Sequence, residues 1–309
     1  MFPIIPADSA TGASGNTEGI FGFAYSATPP TYGLSMTNIV SNTGVVASDV
    51  AGVGTGRYAL AATQYGGDKG IFGYGRPATA ITNLVSNTGV VASDVSGVGT
   101  ARKGIAACSY GEDKGIFGFG SLGDVPTHTR SALTNLVSNV GVVASDTAGV
   151  GTARDGPAAC EYGDDKGIFA FGNPTAAGFV SISNLVSNAG VVASDQAATT
   201  GTARTVLAAC SYGGDKGIFG YGTDPSYTGV TNQVSNTGVV ASDVAGVGTI
   251  RFGLAASEYG GDKGIFGFGH TGPSTTAITN LVSNTGVVAS DQAAVTGTAR
   301  YYLAACSFN

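Results

Sequence analysis

The strongest constraint on the fold of this chain is a segment that recurs six times. One copy, YGGDKGIFGYG, occupies residues 65–75, and its Gly-Ile-Phe centre returns at intervals of about fifty residues. The phenylalanines of the six copies are Phe21, Phe72, Phe117, Phe169, Phe219 and Phe266. A period of this length is typical of supersecondary units that are stacked or arranged in a circle. The sequence therefore predicts a repeat architecture of six similar units.

Each unit reads as four short β-segments, which are described here for residues 57–94. A strand of small residues over 57–65 (RYALAATQY) leads through a Gly-Gly-Asp-Lys turn to a return strand over 70–75 (GIFGYG). A third strand is predicted over 81–86 (ITNLVS) and the start of a fourth over 90–94 (VVASD). Because helical periodicity is lacking, the pattern predicts an all-β, six-bladed β-propeller with four antiparallel strands per blade. A β-solenoid is the alternative, although its coils are normally shorter.

The two ends of the chain complement each other. The first copy begins at Glu18 without a preceding first strand, and residues 300–309 (RYYLAACSFN) form a first strand with nothing after it. We expect 300–309 to complete the first blade, because this pairing removes exposed strand edges. The prediction is thus one propeller over 18–309, preceded by an N-terminal arm over 1–17. Met1–Pro6 is either a docking segment or an apolar lead-in that packs on the disc, and it does not read as a signal peptide.

Most basic residues belong to the repeat, in a chain whose net charge is −6. One repeat position holds Lys69, Lys114, Lys166, Lys216 and Lys263. Another position, which we call the framework arginine, holds Arg57, Arg102, Arg154, Arg204, Arg251 and Arg300. No basic run remains that could follow a phosphate backbone, so we expect no nucleic-acid partner.

The cysteines also share a repeat position. Each follows Ala-Ala, at a place that holds Thr63 and Ser257 in two other copies; the cysteines are Cys108, Cys160, Cys210 and Cys306. A position that accepts Cys, Ser or Thr requires a small side chain, which predicts small buried residues. The alternative is a set of thiols that bind a metal or pair as disulfides. Because the chain lacks a C-x-x-C spacing and has two histidines, we expect no metal and no cofactor.

Asparagine and aspartate recur in every copy as well. The asparagines are Asn38, Asn83, Asn135, Asn184, Asn232 and Asn280. The aspartates are Asp49, Asp94, Asp146, Asp195, Asp243 and Asp291. We interpret them as a repeated scaffold in which the framework arginine reaches an aspartate or a strand-end carbonyl, because buried polar groups need partners in every blade. Six equivalent ligand sites are the alternative.

Sequence variation is concentrated in two places: the connection between the second and third strands, and the residue after each framework arginine. In an antiparallel blade both places emerge on the same side, which we call the variable face. Loops on a rigid scaffold often carry specificity, and aromatic residues and arginine make good contact anchors. Ordinary loop surface is the alternative for each residue. The candidate binding residues are Tyr32, Tyr58, Arg76, His128, Arg130, Asp224, Tyr227, Phe252, His270 and Tyr301.

Catalytic patterns are absent from the sequence. The two histidines, His128 and His270, lie in loops of non-adjacent copies, and no G-x-S-x-G elbow, His-Glu pair or asymmetric carboxylate pair at a recognisable spacing occurs. The glycine-rich strings lie between strands, where no helix could hold a phosphate. We therefore predict no catalytic residues and no enzyme activity.

The order Arg, Ala-Ala, Gly-Gly-Asp-Lys, Gly-Ile-Phe-Gly-Tyr-Gly resembles the kelch repeat over nearly the whole chain. A single Gly75 after Tyr74 and the lack of tryptophan depart from the kelch pattern. The resemblance implies a propeller that binds other proteins through one loop face.

The strings YGGDKGIFGYG and TNLVSNTGVVASD also resemble repeats in virion proteins of tailed phages, particularly marine and cyanobacterial ones. That resemblance implies a non-enzymatic structural protein located in the virion, either tail- or fibre-associated or capsid-decorating. Its partners would be other virion proteins or a host surface receptor, without membrane insertion. The alternative is a soluble kelch-like module that binds a protein or a glycan. A consensus-designed propeller would carry blades as similar as these.

Overall fold

A computed structural model describes residues 17–26, 32–123, 128–175, 178–197, 201–293 and 297–308. These residues form strands, turns and bridges, and no helix occurs in them. Accordingly, the described ranges contain no helix that could cross a membrane. The arm predicted over 1–17 lies, apart from Thr17, outside the described residues, and so does Met1–Pro6.

The repeats correspond to small antiparallel sheets. Within the described ranges there are six three-stranded sheets and one two-stranded sheet. The first consists of β1 (Glu18–Tyr25), β2 (Gly33–Val40) and β20 (Ala304–Phe308). The next five consist of β3 (Ala61–Tyr65), β4 (Lys69–Gly73) and β5 (Thr82–Val85); β6 (Ala106–Tyr110), β7 (Lys114–Gly118) and β10 (Thr134–Val137); β11 (Ala158–Tyr162), β12 (Lys166–Ala170) and β13 (Ser183–Val186); β14 (Ala208–Tyr212), β15 (Lys216–Gly220) and β16 (Thr231–Val234); and β17 (Ala255–Tyr259), β18 (Lys263–Gly267) and β19 (Thr279–Val282). The short hairpin consists of β8 (Ser121–Leu122) and β9 (Thr129–Arg130).

The middle strand of each sheet is buried on both faces, because a neighbouring sheet packs against each of them. In β4, Ile71 and Phe72 point to opposite faces and both are fully buried. The ring of Phe72 lies against Gly22 of the first sheet, where an added Cβ would be 2.6 Å from the phenylalanine Cζ. Phe117 of the third sheet lies in the same way against Gly73. Glycine at this position therefore permits close packing of consecutive sheets.

The cysteines fill the other close contact between sheets. All four are buried free thiols, which confirms the prediction of small buried residues. Cys108 of β6 faces Gly167 of β12, and a Cβ on that glycine would lie 2.5 Å from the sulfur. In the sheet of β1, β2 and β20, Cys306 faces Gly70 of β4 in the same manner. Burial raises the pKa of the Cys108 thiol well above its usual value, so the thiols are poor nucleophiles.

The predicted fourth strand does not form. The segment over 90–95 contacts β5 through two isolated bridges, Val85 with Val91 and Thr82 with Val95, and through the backbone bond from Ala92 N to Leu84 O at 2.8 Å. The side-chain amide of Asn83 donates to the carbonyl of Ala92 at 3.0 Å, so this carbonyl bonds a side chain rather than a strand ladder. Val90 is 64% exposed at the outer edge. The prediction of four strands per unit was wrong, and each described sheet has three.

The predicted pairing of the C-terminal segment with the first repeat is confirmed for β20. Strand β20 lies antiparallel to β1, with Glu18 opposite Phe308 and Gly22 opposite Ala304. The first strand of each sheet also contacts the first strand of the next, in the order β3, β6, β11, β14, β17 and β20. Strand β20 contacts β3 as well as β17.

Candidate functional site

The framework arginines position the variable face. Arg57 is fully buried: its Nε donates to the carbonyl of Tyr74 at 2.7 Å, and its Nη2 donates to Asn83 Oδ1 at 2.7 Å. Its guanidinium carbon also lies 4.3 Å from the ring centroid of Phe23 in the preceding repeat. Burial lowers the pKa of Arg57 to about 10, and the nearby Asp94 carboxylate opposes this shift. The chain is thus fixed at the point where it enters the variable face.

Asparagine and aspartate complete this scaffold. Asn83 Nδ2 donates to Asp94 Oδ1 at 2.9 Å, and Asp94 also accepts bonds from the backbone and hydroxyl of Thr55. Burial opposes ionisation of Asp94, but the hydrogen bonds from Thr55 and Asn83 outweigh it and hold the pKa of this carboxyl below its usual value. The interpretation of these polar residues as a repeated scaffold agrees with these contacts, which recur in other repeats.

The residue after each framework arginine forms a backbone bridge with the residue that follows the aromatic segment, which closes with glycine in five repeats and with Ala24 in the first. The bridged pairs are Tyr58 with Arg76, Lys103 with Ser121, Asp155 with Asn173, Thr205 with Thr223, Phe252 with His270, and Tyr301 with Tyr25. Two variable positions per repeat are therefore held side by side. The arrangement gathers the most variable residues of the chain on a rigid support.

One part of the variable face is an aromatic cluster. Tyr25 contacts Tyr58 with ring centroids 4.8 Å apart, Tyr227 stacks on Phe252 at 4.9 Å, and His270 lies 4.9 Å from Tyr301. The members of the aromatic cluster are Tyr25, Tyr32, Tyr58, Tyr227, Phe252, His270, Tyr301 and Tyr302. Burial raises the pKa of Tyr302 to about 12, so its hydroxyl stays protonated at neutral pH.

A charged cluster lies on another part of this face. His128 Nε2 lies 2.6 Å from Asp155 Oδ2, and Arg130 Nε lies 3.7 Å from Asp155 Oδ1. The short hairpin of β8 and β9 brings these residues to the same carboxylate. The guanidinium carbon of Arg76 lies 5.8 Å from the ring centroid of Tyr58, which belongs to the aromatic cluster. The members of the charged cluster are Arg76, Lys103, His128, Arg130 and Asp155.

Between the two clusters lies a cavity of about 310 Å³, which we call the variable-face cavity. All six framework arginines are followed, three positions on, by an apolar residue that lines it: Leu60, Ile105, Pro157, Leu207, Leu254 and Leu303. The more polar part of the cavity wall is formed by Tyr58, Tyr302, Arg76, Lys103 and Asp155. The cavity therefore combines an apolar lining with a few polar and charged groups, as ligand sites commonly do.

Ser121, His128 and Asp155 line the same cavity, a combination that suggests a nucleophile with its base. The Oγ of Ser121 is buried and makes no hydrogen bond to the imidazole or to any other group in the part of the chain that the structure describes. The imidazole and carboxylate are bonded to each other, but the serine is not part of the chain of bonds. The three residues do not form a relay in this structure.

Nine of the ten sequence candidates fall into these two clusters. The aromatic cluster contains Tyr32, Tyr58, Tyr227, Phe252, His270 and Tyr301, and the charged cluster contains Arg76, His128 and Arg130. Asp224 lies apart from them, in a loop where its backbone N–H donates to the carbonyl of Ser226 at 2.9 Å. The candidates omitted Tyr25, Lys103, Ser121, Asp155 and Tyr302. Lys103 and Asp155 could have been included from the sequence, because each occupies the variable position after a framework arginine.

A second, narrower cavity of about 60 Å³ lies among the first strands, and we call it the inner cavity. It contains the carboxyl groups of Glu161 and Glu258, although the sequence showed no carboxylate pair at a recognisable spacing. Glu161 accepts bonds from Gln64 Nε2 at 3.1 Å and from Ser109 Oγ. Burial raises the pKa of Glu161 to about 7 and that of Glu258 to about 8, and the charge of Glu161 raises the latter further. The sequence did not reveal this pair, because Glu161 and Glu258 belong to different repeats and come close only where the first strands of the sheets pack together.

No protein-family model matches this chain, and no curated protein matches it. Within the described ranges, no group of three or more histidine, cysteine, aspartate or glutamate side chains is placed to hold a metal ion.

Proposed function

We propose that the six sheets are the blades of a β-propeller closed into a ring by the C-terminal strand. The proposal is supported by the contacts of β20 with both β3 and β17. It is also supported by Gly267 of the sixth sheet, where an added Cβ would lie 2.7 Å from the Phe21 ring of the first. A β-solenoid, the alternative, would leave its first and last units apart.

We propose further that the chain is a non-enzymatic structural protein that contacts its partner through the variable face. The observation that carries this proposal is the presence of an aromatic and a charged cluster on one face, where Tyr58 and Tyr302 of the first and Arg76, Lys103, His128 and Asp155 of the second line one cavity. Exposed aromatic residues and arginine are the side chains that contribute most to protein and ligand contacts.

The opposite face is far more uniform and largely satisfies its own polar groups. Lys69 pairs with Asp68, and Asn87 Nδ2 donates to Asp68 Oδ2 at 3.2 Å. The hydroxyls of Ser86 and Thr88 bond each other at 2.9 Å. Equivalent turns occur in other repeats. Because the turns of this face are nearly identical and their polar side chains bond to each other, the face offers little basis for selecting one partner.

The repeat strings support a place in a phage virion, tail- or fibre-associated or on the capsid, where the partner would be another virion protein or a host surface receptor. The test is mass spectrometry of the native source after sedimentation. If peptides of this chain pellet with particles at a fixed ratio to the capsid protein, the proposal stands and the ratio separates tail from capsid. If the peptides remain in the supernatant, the virion assignment fails.

A soluble kelch-like module that binds a protein or a glycan is the second candidate. The variable-face cavity favours it, because a structural contact between large proteins does not require an enclosed site. The same fractionation decides between the two candidates, since a soluble module stays in the supernatant.

A further inference from the structure

The variable-face cavity has an apolar floor that the backbone holds in place. Six residues at one repeat position are linked by backbone hydrogen bonds of 2.7 to 3.1 Å, in which the N–H of each donates to the carbonyl of the one before it. The bonds form a closed cycle through Ala59, Gly104, Gly156, Val206, Gly253 and Tyr302. The apolar floor residue of each repeat follows directly in the chain. The cavity is therefore preformed and can take an apolar group without rearrangement.

The wall of this cavity adds aromatic rings and one hydroxyl without a partner. Tyr58 and Tyr302 line the cavity, and both belong to the aromatic cluster. Ser121 lines it as well; this residue is 1% exposed, and its Oγ makes no hydrogen bond within the described ranges. A buried hydroxyl without a partner is unfavourable, and a carbonyl oxygen of an inserted segment would accept its hydrogen bond. The cavity thus suits an apolar segment of chain that also brings carbonyl groups.

One segment of this chain, outside the described residues, has that chemistry. Met1–Pro6 (MFPIIP) carries four large apolar side chains and no charged one. Pro3 and Pro6 have no N–H, so the segment has fewer donors to satisfy when it is buried, while every carbonyl remains. Aromatic-lined grooves bind proline-containing segments at a low entropic cost. At about 310 Å³ the cavity is at the small end of ligand sites, which limits it to a few side chains of such a segment.

The N-terminal arm starts on the face opposite to this cavity. The carbonyl of Thr17 accepts a bond from Gly260 N at 2.9 Å, in the turn between β17 and β18. In another repeat Asp113 of the equivalent turn takes the same place, with Gly66 as its donor. Residues 7–16 (ADSATGASGN) are mostly small and polar, like a linker, and span at most about 35 Å. A second copy stacked with its variable face against these turns would have its cavity within reach of Met1–Pro6.

We propose that Met1–Pro6 of one copy binds in the variable-face cavity of a second copy, so that copies associate head to tail. The apolar side chains of the segment pack on the cavity floor and on Tyr58 and Tyr302, and a backbone carbonyl accepts a hydrogen bond from Ser121 Oγ. Because the arm and the cavity belong to opposite faces, the contact is heterologous and can repeat along a stack. This inference rests on the proposed function, since it names one partner of the variable face.

The experiment is sedimentation velocity of the full chain over a range of protein concentrations. We expect the average mass of the parent to rise with concentration. The arm variant, Phe2→Asp with Ile4→Asp, should weaken the association at least about tenfold, because its carboxylates would be buried on an apolar floor. Ser9→Asp with Thr11→Asp is the matched control, because it adds the same charge outside Met1–Pro6 and should preserve the association.

A variant of the cavity floor tests the other side of the contact. Leu254→Gln alone should weaken the association as the arm variant does. A mixture of the two variants should form dimers that do not grow, because one intact arm and one intact cavity remain in each pair. If circular dichroism shows that Leu254→Gln is unfolded, a synthetic peptide of residues 1–16 replaces it. The peptide should bind the arm variant and dissociate the parent's assemblies, whereas the same peptide with both aspartates should do neither.

A parent that stays monomeric at every concentration, an arm variant that associates as the parent does, or a mixture or peptide that forms no complex would overturn the proposal. The proposed function is tested separately, because sedimentation with particles needs no association of free copies. If the parent is monomeric while its peptides pellet with particles at a fixed ratio, this inference fails and the proposed function remains. The variable face then contacts another protein.

Discussion

Thr298 Oγ1 donates a hydrogen bond to Asp49 Oδ2 at 2.6 Å, across 249 positions of the sequence. The backbone N–H of Thr298 donates to the same carboxylate at 3.0 Å. The bond from Thr152 Oγ1 to Asp195 Oδ2, inside the chain, has the same length of 2.6 Å. The junction between the chain ends is therefore built from the same contact as a junction between consecutive repeats.

From this equivalence we expect Thr298→Val and Thr152→Val to lower the free energy of unfolding by similar amounts, about 1 kcal/mol each, because each removes one side-chain hydrogen bond. Urea denaturation followed by circular dichroism measures both. A loss in Thr152→Val together with no change in Thr298→Val would show that the end junction is not formed in solution.

The close contact between sheets can be tested at Gly167. In Gly167→Ala the new Cβ would lie 2.5 Å from Cys108 Sγ, and we expect a loss of about 1–3 kcal/mol in the free energy of unfolding from overpacking. Gly178→Ala is the matched control, because its Cβ would lie 3.5 Å from Thr175 Oγ1 in ordinary contact. Addition of Cys108→Ala to Gly167→Ala should restore part of the stability. Equal stability of the two alanine variants would contradict this account of the packing.

The carboxyl groups of the inner cavity predict a loss of stability at high pH. Burial raises the folded-state pKa of Glu161 to about 7 and of Glu258 to about 8, while both ionise near pH 4.5 when unfolded. Between these values the folded chain retains protons that the unfolded chain releases, so the free energy of unfolding falls as pH rises and levels off above about 8. The neighbouring carboxylates Asp164, Asp165 and Asp262 act in the same direction.

We therefore expect Glu258→Gln to be more stable than the parent at pH 8, by on the order of 2 kcal/mol, and nearly equal to it at pH 4. Thermal melts across this pH range measure the difference. Glu112→Gln, at a turn on the surface, serves as the control and should leave the pH dependence unchanged. A parent protein whose stability is flat from pH 5 to pH 8 would contradict the assigned burial.

How far the sequence predicts this structure depends on whether the governing interaction is local. The hairpin of β3 and β4 and the small position of Cys108 follow from the residues themselves. The missing fourth strand does not, because Asn83 takes the carbonyl of Ala92 through a side-chain bond that no propensity reveals.

Contacts at the two cavities were harder to predict. The pairing of Lys103 with Ser121 and the approach of Glu161 to Glu258 both depend on how distant segments meet. The six residues that follow the framework arginines are of five types, and the sequence marks the position as variable. The sequence does not show which of these residues contact each other, because the aromatic and charged clusters form between different repeats.

The measurement that tests the central claim most directly is the stability of a transplanted end strand. One variant ends at residue 299, and a second carries residues 300–309 in front of Glu18, joined through a Gly-Gly-Asp turn like that between Tyr65 and Lys69. The closed ring predicts that truncation abolishes cooperative thermal unfolding, because it exposes the edge of β1 and removes Arg300 from Asn38. It also predicts that transplantation restores most of the parent's melting temperature. A truncated chain as stable as the parent would contradict the account.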